Sequence, residues 1–369
     1  MVNTGSSRPL TGTLGQTKEG AWEGDGMGTR KQEMVAGLLL RAEEQNRLLV
    51  PHDSCLRRRL DRMVERGVAF RPSQGIYVRA DYWRSLKDNQ KALHMIRALS
   101  EREPAMVFSH TSAALVHGLE VPWHLQRKLH AIVAPGHAAR SSGWVVRHIS
   151  EGCPTATVDG IRVTSVEQTV FDCLRTLDFP EGLAVVDSSL RGLELDPDAL
   201  RTFFDERRRR RGYCHAAQTL SLADPRSENG GESIARGTML EMGYMPPDLQ
   251  VEVNDPISGV TYRADFLWRI DEGNWVIGEL DGKDKYYDED MTKGRSIDEV
   301  LLDERLRESR INARGIRVMR FRFSELSNRL RLAELLDLFG IPKGYLPPED
   351  LPHPRLGDGV TFRRLYRTS

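Results

Sequence analysis

The sequence predicts a protein of the α/β class, more specifically α+β, built from more than one domain. The chain has 369 residues, which is enough for two or three domains that each bury a core. Hydrophobic side chains make up 39% and charged side chains 29% of the chain, a balance typical of a globular protein. Short apolar runs of period two alternate with runs of helical period. We therefore expect sheets flanked by helices.

The overall composition excludes several classes of protein. Lysine plus arginine equals aspartate plus glutamate at 53 each, so any binding of nucleic acid must depend on local clusters of charge. The chain lacks an apolar run of the length that spans a membrane, and we expect a cytoplasmic protein without a membrane partner. Its cysteines are scattered and indicate neither a zinc site nor a disulfide framework; they are Cys55, Cys153, Cys173 and Cys214.

The N-terminal part predicts two helices followed by a β-ribbon. Residues 1–29 are rich in Gly, Ser and Thr, and we expect them to be disordered. A first helix is expected from Lys31 to about Leu48, and a second, capped by Asp53 or Ser54, ends at Gly67. Two apolar runs then surround a Pro-Ser-Gln turn. This order over residues 30–88 is typical of a winged helix-turn-helix domain, which binds DNA.

The second predicted helix is the most basic one in the chain. Its arginines alternate with an apolar stripe, which leaves them on the outer face. We interpret them as contacts to DNA, and the alternative is an ordinary solvated face. The predicted DNA-binding residues of this region are Arg57, Arg58, Arg59, Arg62, Arg66 and, on the ribbon, Arg71.

The middle part, residues 89–225, predicts alternating helices and strands without a catalytic constellation. His110 and His117 are seven residues apart, but further metal ligands are not evident near them, so packing or hydrogen bonding is the favoured interpretation. Strands are expected at Leu129–Val133, Trp144–His148 and Gly160–Thr164. The unbroken run Arg207–Arg211 either binds backbone phosphates or forms a solvated helix end.

A hairpin in the stretch from Tyr262 to Tyr286 carries the strongest chemical signal. Two strand-forming runs are separated by a loop that ends in Gly273, and pairing of Ile270 with Asn274 would bring Asp265 opposite Glu279. Both faces of the hairpin are apolar through the middle, which indicates a central position in a sheet covered on both sides.

Carboxylates brought together at the end of a buried hairpin need compensation by a cation or by fixed donors. Asp265, Glu279 and Asp281 are therefore predicted metal ligands, and their oxygen atoms suit Mg²⁺ or Mn²⁺. Lys283 follows on the same face and is predicted to position an attacking water, which would make this a site for hydrolysis of phosphodiesters. The alternative is a set of solvated charges or a simple ion pair.

The arrangement of Asp265 with Glu279-x-Asp281-Gly282-Lys283 resembles the PD-(D/E)XK nuclease signature. Its continuation through Lys285-Tyr286 is similar to a domain related to the very-short-patch mismatch-repair endonuclease. That resemblance implies a restriction-endonuclease-like mixed sheet flanked by helices over residues 226–340. It also implies that Glu232 supports the metal centre and that Lys285 and Arg320 lie near nucleic acid. The histidines that mismatch-repair relatives use are absent from this stretch.

The N-terminal and middle regions resemble AbiEi-type antitoxins, on the pattern Gly67…Arg71…Gly75-Ile76-Tyr77-Val78. Two hypotheses follow. The first is a DNA-binding protein with an Mg²⁺-dependent endonuclease domain. The second is a transcriptional autorepressor or antitoxin of a type IV toxin-antitoxin system, with a cognate toxin as partner and a catalytically silent nuclease-like domain. A helix over about Ile297–Ala313 is expected to bury Leu301, Leu302, Leu306 and Ile311, and residues 341–369 are expected to form an irregular tail.

Overall fold

The structure is a computed structural model, and it describes residues 26–134, 143–255, 257, 259–281 and 297–345. The chain divides into two compact units, residues 1–85 and 86–369. The border lies close to the end of the predicted N-terminal domain at residue 88. The predicted border at residue 225 falls inside the second unit. Mixed sheets and helices make up both the middle and the C-terminal parts, so the expected α/β class is confirmed.

The first unit contains two helices, a β-ribbon and a short third helix. They are α1 (Gly26–Glu44), α2 (Ser54–Glu65), β1 (Ala69–Ser73), β2 (Ile76–Arg79) and α3 (Ala80–Ser85). Helix α2 begins where predicted, because the Asp53 side chain accepts a hydrogen bond from the Leu56 amide at 2.7 Å. The strands of the ribbon are antiparallel. The predicted order of helix, helix and ribbon is therefore confirmed.

Two details of the first unit differ from the prediction. Helix α1 begins at Gly26, so the expected disorder is wrong for residues 26–29, and it ends at Glu44 rather than near Leu48. The core that holds α1 against α2 includes Val35, Leu39, Leu60 and Tyr77. Packing of this apolar stripe against α2 and the ribbon stabilises the second half of α1.

The second unit begins with a five-stranded mixed sheet in the order β5-β4-β3-β7-β6. Its strands are β3 (Val107–Phe108), β4 (Leu129–Val133), β5 (Val145–Ile149), β6 (Thr155–Val158) and β7 (Ile161–Thr164). The helices of this part are α4 (Asp88–Arg102), α5 (His110–Val116), α6 (Val166–Leu174), α7 (Phe179–Gly192), α8 (Pro197–Asp205) and α9 (Tyr213–Ser221). The strands expected near residues 129, 144 and 160 are present; β3 and β6 were not predicted.

Helix α10 (Gly230–Glu241) packs closely against α7. Gly237 makes this possible, because a Cβ atom at this position would lie 2.7 Å from the Pro180 Cα atom. A buried ion pair between Arg236 and Asp187, at 2.8 Å, joins the same two helices. Helix α10 is therefore fixed to the helical core of the unit before the chain enters its last sheet.

The last sheet has four strands in the order β11-β10-β9-β8. Strands β8 (Asp248–Asn254), β9 (Thr261–Asp271) and β10 (Asn274–Asp281) form an antiparallel meander, and β11 (Ile316–Arg322) is parallel to β10. Helices α11 (Ile297–Asn312), α12 (Phe323–Leu326) and α13 (Arg329–Leu338) complete this part. Apolar clusters lie on both faces of the sheet, as predicted from the hairpin.

The register of the hairpin is nearly the predicted one. Asn274 pairs with Asp271, so the expected pairing with Ile270 is wrong, and a one-residue shift follows. From Trp275 onward the pairing is the predicted one and continues to Gly278 opposite Phe266. The pairs end there, and Glu279 and Asp265 are the next residues along the two strands.

The two faces of the hairpin also separate as predicted. Phe266, Trp268 and Val276 belong to one apolar cluster, whereas Leu267 and Ile277 belong to the other.

The expected burial of helix α11 is only partly confirmed. Ile311 is 2% exposed, but Leu302 is 56% and Leu306 43% exposed, and the side chain of Leu301 lies outside the described part of the chain. Within the part of the chain that the structure describes, we find no helix with the length and apolar character needed to cross a bilayer.

Candidate functional site

The carboxylates predicted from the hairpin lie in one neighbourhood, where the end of β10 passes the middle of β9. The Asp265 carboxylate accepts a hydrogen bond from the Leu280 amide at 2.8 Å, which ties it to the strand that carries Glu279 and Asp281. Burial raises the pKa of Glu279, and the charges of Asp265 and Asp281 raise it further, whereas two arginines lower it. All three carboxylates therefore interact electrostatically.

The arginines that act on Glu279 are bound to it directly. The distance from Glu279 Oε1 to Arg307 Nη2 is 3.0 Å, and that from Oε2 to Arg320 Nη2 is 2.8 Å. Arg320 lies opposite Glu279 in the parallel register of β10 and β11. The protein thus supplies the compensating charge that the sequence argument assigned to a metal ion.

The oxygen donors of this centre fit Mg²⁺ or Mn²⁺ chemically. Geometrically, Glu279 would have to exchange a guanidinium group for the ion. Among the described residues, the group whose ligand atoms all lie within 4.8 Å of one another is instead His110, His130 and His148. The carboxylates are therefore brought together by the fold, but in an arrangement held by arginine.

Glu232 lies in the first turn of α10 and is only 4% exposed. Its carboxylate accepts hydrogen bonds from the Glu228 amide at 2.7 Å, from Asn229 Nδ2 at 2.7 Å and from Gln250 Nε2 at 2.9 Å. Gln250 stands between Leu249 and Val251, whose partners on β9 are the two neighbours of Asp265 in the chain, so Gln250 lies at the level of Asp265. Glu232 therefore links α10 to the sheet beside the carboxylate centre, with its oxygens engaged by protein donors.

The remaining predicted site residues are two lysines that the structure does not describe and a set of arginines that differ in exposure and pairing. Lys283 and Lys285 lie outside the described residues. Arg57, Arg58, Arg62 and Arg66 are exposed on α2, whereas Arg59 is half-buried. Arg71 forms an ion pair with Asp61 at 3.1 Å on the same unit.

A second polar centre, absent from the predicted sites, lies between α5 and the strands β4 and β5. The ring centroids of His110 and His148 are 3.9 Å apart, and those of His130 and His148 are 5.1 Å apart. His130 Nδ1 and His148 Nε2 share a hydrogen bond of 2.8 Å. His117, by contrast, bonds the Thr164 carbonyl at 2.9 Å, so the expected hydrogen-bonding role is confirmed for that residue.

Sequence reasoning missed this centre because it compared histidines within one helix. The usable signal was that His130 and His148 each lie on a predicted strand. Strands β4 and β5 are parallel neighbours, and their pairing brings His130 opposite Val146 and His148 opposite Ile132. His110 then reaches the same place from the beginning of α5.

A cavity of about 700 Å³ opens beside this cluster. Its lining includes His110, His148, Gln168, Asp172, Arg175 and the run Arg207–Arg211.

Two of the lining arginines are fixed by a chain of hydrogen bonds. Arg175 Nε donates to Asp172 at 2.8 Å, Gln168 Nε2 donates to the same carboxylate at 3.0 Å, and Arg207 Nε donates to Gln168 Oε1 at 3.2 Å. The arginine run therefore continues an ordered wall of the cavity.

Burial keeps the histidines of this cluster neutral near pH 7. It lowers the pKa of His110 well below the ordinary value, with a smaller contribution from His148. It also lowers the pKa of His130 to about 4, again with help from His148. The pKa of His148 falls for the same reason, although Asp172 partly offsets the effect. The cavity therefore combines neutral imidazoles with permanently charged guanidinium groups.

Comparison with known proteins gives limited information about function. The chain matches no protein-family model. It is similar to two uncharacterized proteins of Mycobacterium tuberculosis, MT2308 of strain CDC 1551 and Rv2248 of strain H37Rv. The identity to each is 31% over 134 residues, which is 36% of this chain. The chain spans about half the length of these curated relatives, 49% of each.

Proposed function

We propose that the protein binds DNA and hydrolyses its phosphodiester bonds with a divalent metal ion. One observation carries the proposal: the amide of Leu280, which stands between Glu279 and Asp281 in the chain, donates a hydrogen bond of 2.8 Å to the Asp265 carboxylate. Acidic side chains on two neighbouring strands support the proposal, because the sequence motif resembles a nuclease signature in which such carboxylates hold the metal ion. The fold alone supports no reaction, so the residues of the site must support it.

In this proposal, Asp265, Glu279 and Asp281 would hold Mg²⁺ or Mn²⁺. The ion would act as a Lewis acid and would lower the pKa of a bound water. Arg320, which pairs with Glu279 at 2.8 Å, would contact a DNA phosphate at this site. Lys283 positions the attacking water, and Lys285 contacts the DNA backbone. Glu232 keeps α10 attached to β8, which holds the strands of the site in register.

The first unit supplies DNA binding in this proposal. Helix α2 presents Arg57, Arg58, Arg62 and Arg66 to solvent, and the β-ribbon follows it directly. A basic helix followed by a ribbon is the arrangement in which a winged helix-turn-helix domain contacts the major groove and the backbone. Exposed arginines contribute to affinity through phosphate contacts, which makes binding dependent on salt.

Nicking of supercoiled plasmid tests the proposed reaction. We compare the wild type with Asp265→Asn, which can still accept the hydrogen bond from Leu280, and with Asp271→Asn as a control on the same strand. We expect Mg²⁺- or Mn²⁺-dependent nicking in the wild type and the control, and a loss of at least about 100-fold in Asp265→Asn. Equal rates in all three proteins would remove the catalytic proposal.

A second candidate function is favoured by the pairing of both Glu279 oxygens with arginine. In this alternative the C-terminal part is catalytically silent, and the protein is an autorepressor or antitoxin that binds DNA and a cognate toxin. Its test is binding to the DNA upstream of its own gene. Arg58→Ala and Arg62→Ala should each reduce the slope of log affinity against log salt by about 1.

The control for this second test is Arg41→Ala, an exposed arginine at the end of α1. It should leave the salt slope unchanged. DNA binding that survives Asp265→Asn, together with the absence of metal-dependent nicking, would favour the silent alternative over the nuclease.

A further inference from the structure

The cavity beside the histidine cluster carries an excess of positive charge. Its lining includes Arg175 and the run Arg207–Arg211, against the carboxylates of Glu151, Asp172 and Glu206. Asp172 pairs with Arg175, and Glu206 pairs with Arg207. Within the described part of the chain, Arg208–Arg211 have no carboxylate partner and remain exposed at the cavity wall. An anionic ligand would complete this charge arrangement.

One buried polar atom of the lining lacks a partner. His110 is 3% exposed, and its Nε2 atom makes no hydrogen bond to any described residue. Its Nδ1 atom lies 3.0 Å from Ser109 Oγ, so a hydroxyl that donates to Nδ1 leaves the proton on Nε2. The backbone of His110 is also left-handed, with φ of 51°, a conformation that costs free energy in a residue with a side chain. The fold thus leaves an unpaired imidazole nitrogen, at some cost, on a residue that lines the cavity.

The orientation of the rings argues against a metal ion as the ligand. An imidazole binds a metal through a lone pair that lies in the plane of its ring. The planes of His110 and His148 are within 19° of parallel and stacked at 3.9 Å, and those of His130 and His148 are within 15°. Nearly parallel stacked planes do not meet at a common ion. In addition, the hydrogen bond between His130 and His148 already occupies one nitrogen of each ring.

We propose that this cavity binds a phosphomonoester, carried by a free nucleotide or by the end of a nucleic-acid strand. Guanidinium groups bind phosphate oxygens in pairs of parallel hydrogen bonds, and Arg175 and Arg207 are already oriented by Asp172 and Gln168. His110, which lines the same cavity, would donate a further hydrogen bond in the tautomer that carries its proton on Nε2. A volume of about 700 Å³ is in the range that accommodates a small organic ligand. The proposal is independent of the carboxylate centre.

Calorimetric titration of the full chain tests this proposal. The probes are 2′-deoxyadenosine monophosphate, 2′-deoxyadenosine, and one single-stranded oligonucleotide prepared with either a phosphate or a hydroxyl group at its 5′ end. The variants are His110→Asn, since asparagine tolerates a left-handed backbone, and Arg210→Gln. The matched control is Arg201→Gln, an exposed arginine of α8 that does not line the cavity.

We expect the phosphorylated probe to bind and its unphosphorylated counterpart to bind at least about tenfold more weakly. Each of His110→Asn and Arg210→Gln should weaken binding by about tenfold or more, whereas Arg201→Gln should stay within about twofold. Binding of the mononucleotide identifies a free nucleotide as the source. Binding of the phosphorylated strand alone identifies a strand end. Both results support the proposal.

Two results would overturn it. The first is equal affinity for the two oligonucleotides together with an equal loss of affinity in Arg210→Gln and Arg201→Gln. This result would indicate only general attraction between arginine and nucleic acid. The second is binding of Zn²⁺ that disappears in His110→Asn, without binding of any phosphorylated probe. Far-UV circular dichroism of each variant confirms that the chain is folded.

Discussion

The second unit contains both the carboxylate centre, formed by Asp265, Glu279 and Asp281, and the cavity beside the histidine cluster. The two differ in how far the protein itself pairs their charged and polar groups. At the carboxylate centre, Glu279 is paired through both oxygens with arginine, and Asp265 accepts a backbone hydrogen bond. At the cavity, the arginine run exceeds its carboxylates, and a buried nitrogen of His110 lacks a partner among the described residues. The protein itself supplies the charge that compensates Glu279, whereas the cavity keeps arginines and a buried nitrogen that the described residues do not pair.

This difference shows that a density of charged residues in the sequence does not by itself identify a binding site. Acidic residues that converge can be neutralised from a neighbouring strand, as Arg320 does for Glu279. A better indication of a binding site is a buried donor or acceptor that the fold leaves without a hydrogen-bond partner, because such a group costs free energy. The following predictions test this distinction, from the largest expected effect to the smallest.

Arg320→Ala should reduce the free energy of unfolding by about 2–3 kcal/mol, because it leaves the largely buried Glu279 with one guanidinium partner fewer. The Glu279 side chain is 17% exposed and that of Arg320 24% exposed, so solvent screens the pair only partly. Urea denaturation near pH 7 measures the effect. In the Glu279→Gln background the same substitution should cost clearly less, and equal costs in both backgrounds would contradict the importance of this pair.

The histidine cluster should make stability fall as the pH falls. The pKa of His130 is about 4 in the folded protein, below the ordinary value of 6.5, so the unfolded chain takes up a proton that the folded chain does not. This destabilisation begins as the pH drops below about 6.5, amounts to about 2 kcal/mol for His130 at pH 5, and is complete below about pH 4. Denaturation at pH 7.5 and at pH 5 measures it, and the difference should shrink in His130→Gln.

Glu232→Gln should reduce the free energy of unfolding by about 1–2 kcal/mol. The amide group that replaces one oxygen would face donors at Glu228, Asn229 and Gln250, and at least one hydrogen bond would be lost. Thermal denaturation measures the change. If Glu232 acted only on a bound metal ion, its substitution would change nicking activity and leave the melting temperature unchanged.

Arg208→Gln and Arg210→Gln should change the free energy of unfolding by less than about 0.5 kcal/mol, because both side chains are exposed. The combination of unchanged stability with weakened binding of a phosphomonoester would separate these residues from Arg320, for which stability is the main readout. A destabilisation of more than about 1 kcal/mol would instead show that the arginine run supports the fold.

Some elements could be predicted because local chemistry determines them. Asp53 caps α2, the hairpin turns at Gly273, and the alternation of apolar residues assigns Leu267 and Phe266 to opposite faces. The burial of α11 was predicted less well. Leu302 and Leu306 have the spacing of a buried stripe, yet both are exposed, because burial depends on what packs against the helix.

The sequence by itself determined the α/β class, the order of helix, helix and ribbon in the first unit, and the residues that meet across the hairpin. Each of these depends on contacts between residues close together in the chain, through caps, turns and periodicity. Only the tertiary structure decided that Arg307 and Arg320 compensate Glu279, and that His110, His130 and His148 gather beside Arg207–Arg211. These groups come from separate elements, and the packing of the elements alone sets the distances between them.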